Sequence, residues 1–535
     1  MTAPGELARP APPDERATHG THSPRAANAL TLRRLGIDTY QEPVLYMSVD
    51  CPVCRSEGWR APARVEVALN GHTIVATLNV VTGELLRPGE ASLSDAAWRL
   101  LGAREGDDVT LTHPAPLASM ALVRGKLYGR TLDLDDFTRI VRDIADGRYS
   151  AIELTAFVAA CAGRQLSLEE TVALTRAMTH AGDRLSWGRG VVVDKHSVGG
   201  LPGNRTTMLV VPIVAAAGLT IPKTSSRAIT SPAGTADAME TVTRVDLDLP
   251  AMRRVVEREG GCVVWGGAVR LSPADDVIIR VERPLDIDSE AQLVASVLSK
   301  KAAAGATHVV IDVPVGPTAK VRSPEAARSL GAVLSAVGRA VGLTVDIAEG
   351  DGSQPVGRGI GPALEARDVL AVLRGEPRAP ADLRERALAL AARAIELGRG
   401  LPPGAALDEA RAILDDGRAL RKFEAICGAQ GAMREPPRAR HTHVVEAASG
   451  GRLAAIDNRR LARAAKLAGA PGAPAAGLDL FVRLGDDVAP GQPIFALHAS
   501  SPGELAYSLD YVRAHPGLLD LGDTDPRTAA NAATR

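Results

Sequence analysis

Between Val191 and Glu240 the chain states one pattern twice: a short apolar strand, a loop rich in glycine and hydroxyl side chains, then a helix. The β-branched run Val191-Val192-Val193 has the composition of a buried strand. It turns through Asp194-Lys195-His196-Ser197 and Gly199-Gly200 into a helix predicted from about Thr206 to Ala217. Glycines such as Gly200 let backbone N–H groups close on an anion, and a helix N-terminus adds partial positive charge. Lys195 supplies a full charge, and Ser197 and Thr207 supply hydroxyl donors. The second unit carries Ser225, Ser226, Arg227, Thr230, Ser231 and Thr235 ahead of a helix starting near Ala236. Two such loops facing each other would make an oxyanion site. Neither a GxxxxGK[ST] nor a GxGxxG fingerprint is present, which excludes the commonest nucleotide loops. Ordinary strand–helix turns could share this composition, but a cation inside each loop favours anion binding.

The rest of the chain reads as a multi-domain α/β protein. Its length, 535 residues, exceeds one small core and implies three or four domains. Residues 1–29, rich in Pro, Ala, Thr and His, read as a disordered tail without a signal-peptide core. Residues 30–117 read as a β-rich domain. The segment ARVEVALNGHTIVATLNVV alternates in places around an Asn-Gly turn, and a small barrel of the double-psi type is expected. Cys51 and Cys54 form a lone CxxC, open to a zinc or redox role or to a turn with two partly buried thiols. From Leu132 helices take over: Leu134, Phe137, Ile140, Val141 and Ile144 share one face, and Ser150/Glu153 and Ser167/Glu170 read as capping boxes. This small α domain spans 118–187. Strands GCVVW, THVVIDV and LTVDI belong to an α/β domain, 188–435, with a central, mostly parallel sheet. Asp288 to Lys301 reads as one helix capped by Ser289. After the break MREPPRARH come an α+β domain, 436–522, and a tail, 523–535.

The formal charge is −1, so nothing argues for a nucleic-acid or membrane-surface partner. No apolar run approaches a membrane span. Five cysteines in a chain this long fit a reducing compartment, and a cytoplasmic location is expected. Aromatic residues are scarce, so the core must be built from Ala, Val and Leu. The histidines have no metal-ligand spacing, and no metal site is expected.

The segment SSRAITSPAGTADAME resembles the signature of the thymidine phosphorylase and AMP phosphorylase family, and DKHSVGG resembles its phosphate loop. WGGAVRLSPADD, LDIDSEAQLVASVLSKK and VIDVPVGPTAK follow in the family's order, so the resemblance covers most of residues 120 to 435. The upstream IDTYQEPVLYMSVDCPVCRSEGW resembles the long bacterial form with an extra N-terminal domain. The resemblance implies phosphorolysis of an N-glycosidic bond, nominally thymidine plus phosphate to thymine and 2-deoxy-α-D-ribose 1-phosphate. It implies inorganic phosphate as co-substrate, no organic cofactor or metal, and a homodimer joined through the α domain. It also places the Asp288 helix back in the α domain, so that the chain crosses between lobes at hinges.

By match to thymidine phosphorylases, Lys195, Ser197, Thr207, Ser225 and Thr235 would bind phosphate. By match to AMP phosphorylases, Gly200, the run Ser226, Arg227, Ala228, Ile229, Thr230 and Ser231, Thr235 and Lys320 would line a nucleotide site. The two patterns overlap at Thr235. Asp288 matches the AMP phosphorylase proton donor, with a plain helix cap as the alternative. Ser296 and Lys300, near the same helix face, match base-contacting positions; Lys301, about 100° from Lys300, is expected to be a surface or subunit-contact charge. His196 could hydrogen-bond a base carbonyl or serve as a structural histidine. One departure stands out: the arginine that grips the pyrimidine ring is replaced by Val281 or Glu282, flanked by Arg280 and Arg283. An AMP or other nucleoside monophosphate phosphorylase, releasing ribose 1,5-bisphosphate, is therefore the alternative. Rivals from other classes are a phosphoribosyltransferase, with Glu349 and Asp351 as weak magnesium candidates, and an inactive nucleotide-binding protein.

Overall fold

The computed structural model describes residues 28–522 apart from 164–165, 189, 229–230, 286 and 288. The tail at 523–535 and most of that at 1–29 lie outside these residues, while Ala29 begins the first strand. The chain divides into two compact units at Leu117.

The first unit is a closed barrel of strands β1 (Ala29–Leu32), β2 (Val44–Ser48), β3 (Arg64–Leu69), β4 (His72–Val81), β5 (Glu90–Leu93) and β6 (Asp108–Thr112), in the order β1-β5-β2-β4-β3-β6. β1/β5 and β2/β4 pair in parallel, and the remaining neighbours are antiparallel. β3 and β4 meet at Asn70-Gly71, whose φ values of 50° and 81° are those of a two-residue hairpin turn. Alternate residues Val65, Val67 and Leu69 point into the core with Leu45, Leu78 and Leu93. Two helices complete this unit: α1 (Pro52–Ser56) and α2 (Asp95–Leu101), the latter capped by Ser94. Cys51 and Cys54 flank the start of α1. Both residues are buried, more so than expected, and Cys54 Sγ lies 3.3 Å from Trp59 O. Among the described residues no cluster of His, Cys, Asp or Glu could hold a metal.

The second unit opens with a helical bundle: α3 (Met120–Leu127), α4 (Leu134–Ala145), α5 (Ala151–Gly163) and α6 (Leu168–His180). The Ser150/Glu153 and Ser167/Glu170 capping boxes are formed. On α4, Phe137, Ile140, Val141 and Ile144 are buried, while Leu134 at its first turn is exposed. The chain then crosses to an α/β layer: β7 (Val193–Ser197), α7 (Thr207–Ala216), β8 (Ile221–Ser225), α8 (Thr235–Glu240), α9 (Leu249–Glu259) and β9 (Gly261–Trp265). It returns to the bundle with α10 (Pro273–Leu285) and α11 (Glu290–Ala303). The crossovers touch, because Leu185 N–H donates to Ala303 O and Trp187 Nε1 to Ala304 O, both at 2.8 Å.

The chain goes back to the sheet through β10 (His308–Val315), α12 (Pro324–Ala340) and β11 (Thr344–Asp351). Strands β11-β10-β7 form one parallel ladder and β8-β9 another. A single bridge, Val192 to Thr220, joins the two, so the predicted parallel sheet is split down the middle. After β12 (Gly359–Ile360), helices α13 (Pro362–Leu373), α14 (Ala381–Arg399), α15 (Leu407–Asp415) and α16 (Arg418–Gln430) cover it. Val210 and Val214 of α7 pack in one core with Leu388 and Ile395 of α14 and Phe423 of α16. Each such side chain contributes about 1.5–3 kcal/mol on burial.

The last part holds β13 (His441–Glu446), β14 (Gly451–Ile456), α17 (Asn458–Leu467), β15 (Gly477–Leu480), β16 (Asp487–Val488), β17 (Pro493–Ala499), α18 (Pro502–Ala514) and β18 (Leu519–Gly522). β16 and β17 flank a turn closed by Gln492 N–H to Ala489 O but enter different sheets: β16 pairs with β14, whereas β17 pairs with β13 and β15. β12, from the α/β stretch, joins this sheet at β15, so the break near Pro436 does not separate the two regions.

Candidate active site

The first loop leaves the C-terminal end of β7, where Ser197 pairs with Asp312 of β10. Gly200 has φ 82°, and a Cβ there would lie 2.5 Å from the backbone N of Lys320. Glycine is thus required for both conformation and space. The same contact brings Gly200 and Lys320 together. The loop then anchors through Asn204 N–H to Val356 O at 3.0 Å and enters α7 at Thr207, which is buried in the first turn.

Lys195 is 1% exposed. Its ammonium donates to Thr206 Oγ1 at 2.8 Å and stands 3.6 Å from Asp312 Oδ2. Asp312 also accepts from Arg386 Nη2 at 2.8 Å and from Asn204 Nδ2 at 3.1 Å, and that same amide lies 3.4 Å from Ser197 Oγ. Burial pushes the Lys195 ammonium down to about 8, against the pull of Asp312. Burial would raise the Asp312 carboxyl, but Lys195, Arg386 and Asn204 hold it below the usual range.

The second loop is organised by Asp237. Its carboxylate accepts from Ala228 N–H at 2.6 Å and Gly234 N–H at 2.8 Å and pairs with Arg227. Arg227 also binds Glu240, at 2.9 Å through Nη2, and stacks 4.9 Å from the Trp265 ring centre. Ser231 Oγ donates to Ala233 O at 2.8 Å. Arg227, Ala228 and Ser231 therefore hold the loop's own shape in this form, while Ser226 is exposed. Ile229 and Thr230 lie outside the described residues. Ser225 ends β8, and its buried hydroxyl has no partner among the described residues. Arg205 joins the two loops, donating to Thr235 Oγ1 at 2.9 Å while its guanidinium pairs with buried Glu365.

The third contributor is α11. Lys300 Nζ donates to Asp275 Oδ2 at 2.7 Å and to Ser296 Oγ at 3.1 Å. Asp288 lies outside the described residues. The cap of α11 is Ser289, whose Oγ accepts from Gln292 N–H at 3.5 Å. Lys301 is not the surface charge expected from its rotation. It is 2% exposed, and Nζ donates to Asp194 Oδ2 of β7 at 2.7 Å. The contact brings the Lys300 end of α11 beside His196. Burial, with Lys223, Lys301, Lys300 and Lys195 nearby, holds His196 well below its ordinary range, which favours the neutral imidazole. A neutral ring can still donate one hydrogen bond.

Sequence reasoning passed over Asp194, Asn204, Arg205, Thr206, Lys223, Asp275, Asp312, Glu365 and Arg386. A signal existed for Asp312 and Lys223: each is charged within an apolar strand, in VVIDVPV and TIPKTS. Such a charge needs a buried partner. Arg386 and Glu365, on helices far along the chain, carried no such sign.

Residues 189–420 match the glycosyl transferase family a/b domain, 120–182 its helical bundle domain, and 452–515 the pyrimidine nucleoside phosphorylase C-terminal domain. A protein of Polaromonas sp. named "Putative thymidine phosphorylase" is 66% identical, over 90% of this chain and 94% of its own length. A second such relative, from Acidovorax sp., is 63% identical over 93% and 97%, and one from Legionella pneumophila is 56% identical over 94% and 97%. The loops built on β7 and β8 and Lys300 of α11 fall in the first of these domain matches, helices α3 to α6 in the second and the stretch from α17 to α18 in the third, and the chain belongs to the thymidine/pyrimidine nucleoside phosphorylase family.

Proposed function

We propose that this chain cleaves the N-glycosidic bond of a nucleoside with inorganic phosphate, nominally converting thymidine to thymine and 2-deoxy-α-D-ribose 1-phosphate. One arrangement carries the reading: buried Lys195 at the root of two loops tied by Arg205 and Thr235, with the Lys300–Ser296 pair on the helix pinned to the same strand. One cation with the hydroxyls of Ser197, Thr207, Ser225 and Thr235 suits a phosphate dianion. Phosphate attacks C1′ and the base leaves with the bond's electrons. Lys300, Ser296 and the neutral His196 would hold the base and stabilise charge on its carbonyl. Asp288 would protonate the leaving base, a contribution of roughly 10²–10⁴-fold. Closure of the lobes at the crossovers would exclude water and favour phosphate as nucleophile. A homodimer joined through the bundle, a cytoplasmic location and independence of metal or organic cofactor are part of this reading. Among the described residues, no helix is long and apolar enough to cross a membrane.

A second substrate class is supported by the contact between Lys320 and Gly200. A nucleoside monophosphate needs a second anion site, and Lys320 with Ser226 and Thr230 would supply donors beyond the Lys195 set. Purified protein with phosphate is offered thymidine, uridine, AMP and CMP in parallel, with chelator present, and free base is followed. Release from nucleosides is expected. Release from monophosphates alone overturns thymidine as substrate, and no phosphate-dependent release from any of the four overturns the proposal.

A further inference from the structure

Behind the Lys195 loop lies a second buried layer of charge. Asp194, 1% exposed, accepts from Lys301 Nζ and from the Lys195 backbone N–H, both at 2.7 Å. Lys223 Nζ stands 3.4 Å from the same carboxylate and is 4% exposed as a residue. The three side chains come from β7, β8 and α11. Two residues beyond Lys223 on β8 is Ser225, with its unpartnered buried hydroxyl. One residue beyond Asp194 on β7 is Lys195.

The charges do not balance. Two lysines meet one carboxylate at Asp194, and Lys195 and Arg386 meet one carboxylate at Asp312. Each group holds one cation in excess. A buried excess charge is unfavourable unless it loses its proton or gains a counter-ion. The titratable groups around Lys223 are Asp194 and Lys195 of β7, Lys301 of α11 and Cys262 of β9, with His196 adjoining. Burial pushes the Lys223 ammonium well below the lysine range, Asp194 pulls it back, and the Lys301 and Lys195 cations push it down again. Of the two lysines on Asp194, Lys301 has the shorter contact and Lys223 the longer.

We propose that Lys223 is a positioning residue for the phosphate site that changes protonation with its occupancy: neutral beside Lys301 on Asp194 without the anion, and charged once a tetrahedral dianion docks on Lys195. The proton comes from solvent, and the docked dianion supplies the negative charge that the two clusters lack. Charged Lys223 then tightens on Asp194 and draws β7 and β8 together where the sheet is split. The inference rests on the proposed phosphorolysis only for the location of the anion.

Sulfate, a dianion that carries no proton near neutral pH, is the probe. Calorimetric titration of the full chain at pH 7 in two buffers of different ionisation enthalpy reads proton uptake directly. Uptake on the order of one proton per sulfate is expected in the parent protein. Lys223→Met should bind sulfate more weakly with uptake abolished. Lys223→Arg, permanently charged, should bind without uptake and guards against a Met variant that does not fold. Sulfate binding without uptake in the parent overturns the inference, as does uptake that persists in either variant, since Lys195 or His196 would then be its source. Phosphate-dependent base release together with such a result leaves the proposed function standing; absence of base release with uptake intact overturns the function alone.

Discussion

Lys300 Nζ donates to Asp275 Oδ2 at 2.7 Å, joining a partly exposed ammonium on α11 to a carboxylate on α10 that is fully buried. The pair fixes the lysine beside Ser296, where the base is proposed to sit. Asp275→Asn keeps the shape and removes the charge. It should lower kcat/KM for the nucleoside by about 10²-fold through misplacement of Lys300, with the phosphate KM nearly unchanged. Steady-state kinetics with each substrate varied in turn checks this.

Lys195 is pushed down to about 8 by burial. Phosphate binding needs its charged form, so affinity should be full below that value and fall as pH rises through it. The limiting slope is about tenfold in phosphate KM per pH unit. Lys195→Ala should raise the phosphate KM and lower kcat together, with a flat profile over the same range. A phosphate KM independent of pH between 7 and 9 in the parent would count against Lys195 as ligand.

Gly200→Ala adds a methyl 2.5 Å from the Lys320 backbone at φ 82°. The loop must move or strain, and strain of this kind is of order 1–3 kcal/mol. Activity should fall at least tenfold while the melting temperature changes by only a few degrees, because the substitution removes no side chain from the apolar cores that Val198 and Leu201 of this loop join. Gly199→Ala, with no atom near its would-be Cβ, should be the milder variant.

Burial raises the Glu365 carboxyl to about 7, against the pull of Arg205. The folded state therefore holds a proton that the unfolded state has lost, and this stabilisation is present below the unfolded pKa and fades as pH rises through about 7. Melting temperature should decline between pH 5 and 7.5, and Glu365→Gln should make that decline shallower. Differential scanning calorimetry across this range is the check.

The barrel has its own core, so Leu78→Ala should destabilise it by about 2–5 kcal/mol. Thermal unfolding should show the barrel transition move down while the transition of residues 118–522 stays in place.

How much was legible in the sequence differs from element to element. Composition placed a strand at Val191–Val193 and a turn through Asp194–Ser197; the strand β7 instead runs Val193–Ser197, because Asp194 to Ser197 pair with β10, and the loop begins after it, while α7, β8 and α8 formed close to where they were expected. The capping boxes at Ser150 and Ser167 were readable because a cap is decided within four residues. The family was readable for a related reason: its motifs are contiguous, and their order survives in one dimension.

Lys301 shows what was not legible. Helical rotation placed it away from Lys300, and that much was right, but rotation cannot say what lies on the other side. Its partner Asp194 is 107 positions away, on a strand whose approach to α11 is set by the packing of two layers. The same holds for Arg386 on Asp312, 74 positions apart, and Arg205 on Glu365. The sequence by itself determined the elements, the loops and the family, because each depends on short-range periodicity or contiguous motifs. Only the tertiary structure decided which buried charges meet, because ion pairing depends on distances of a few ångström between segments remote along the chain.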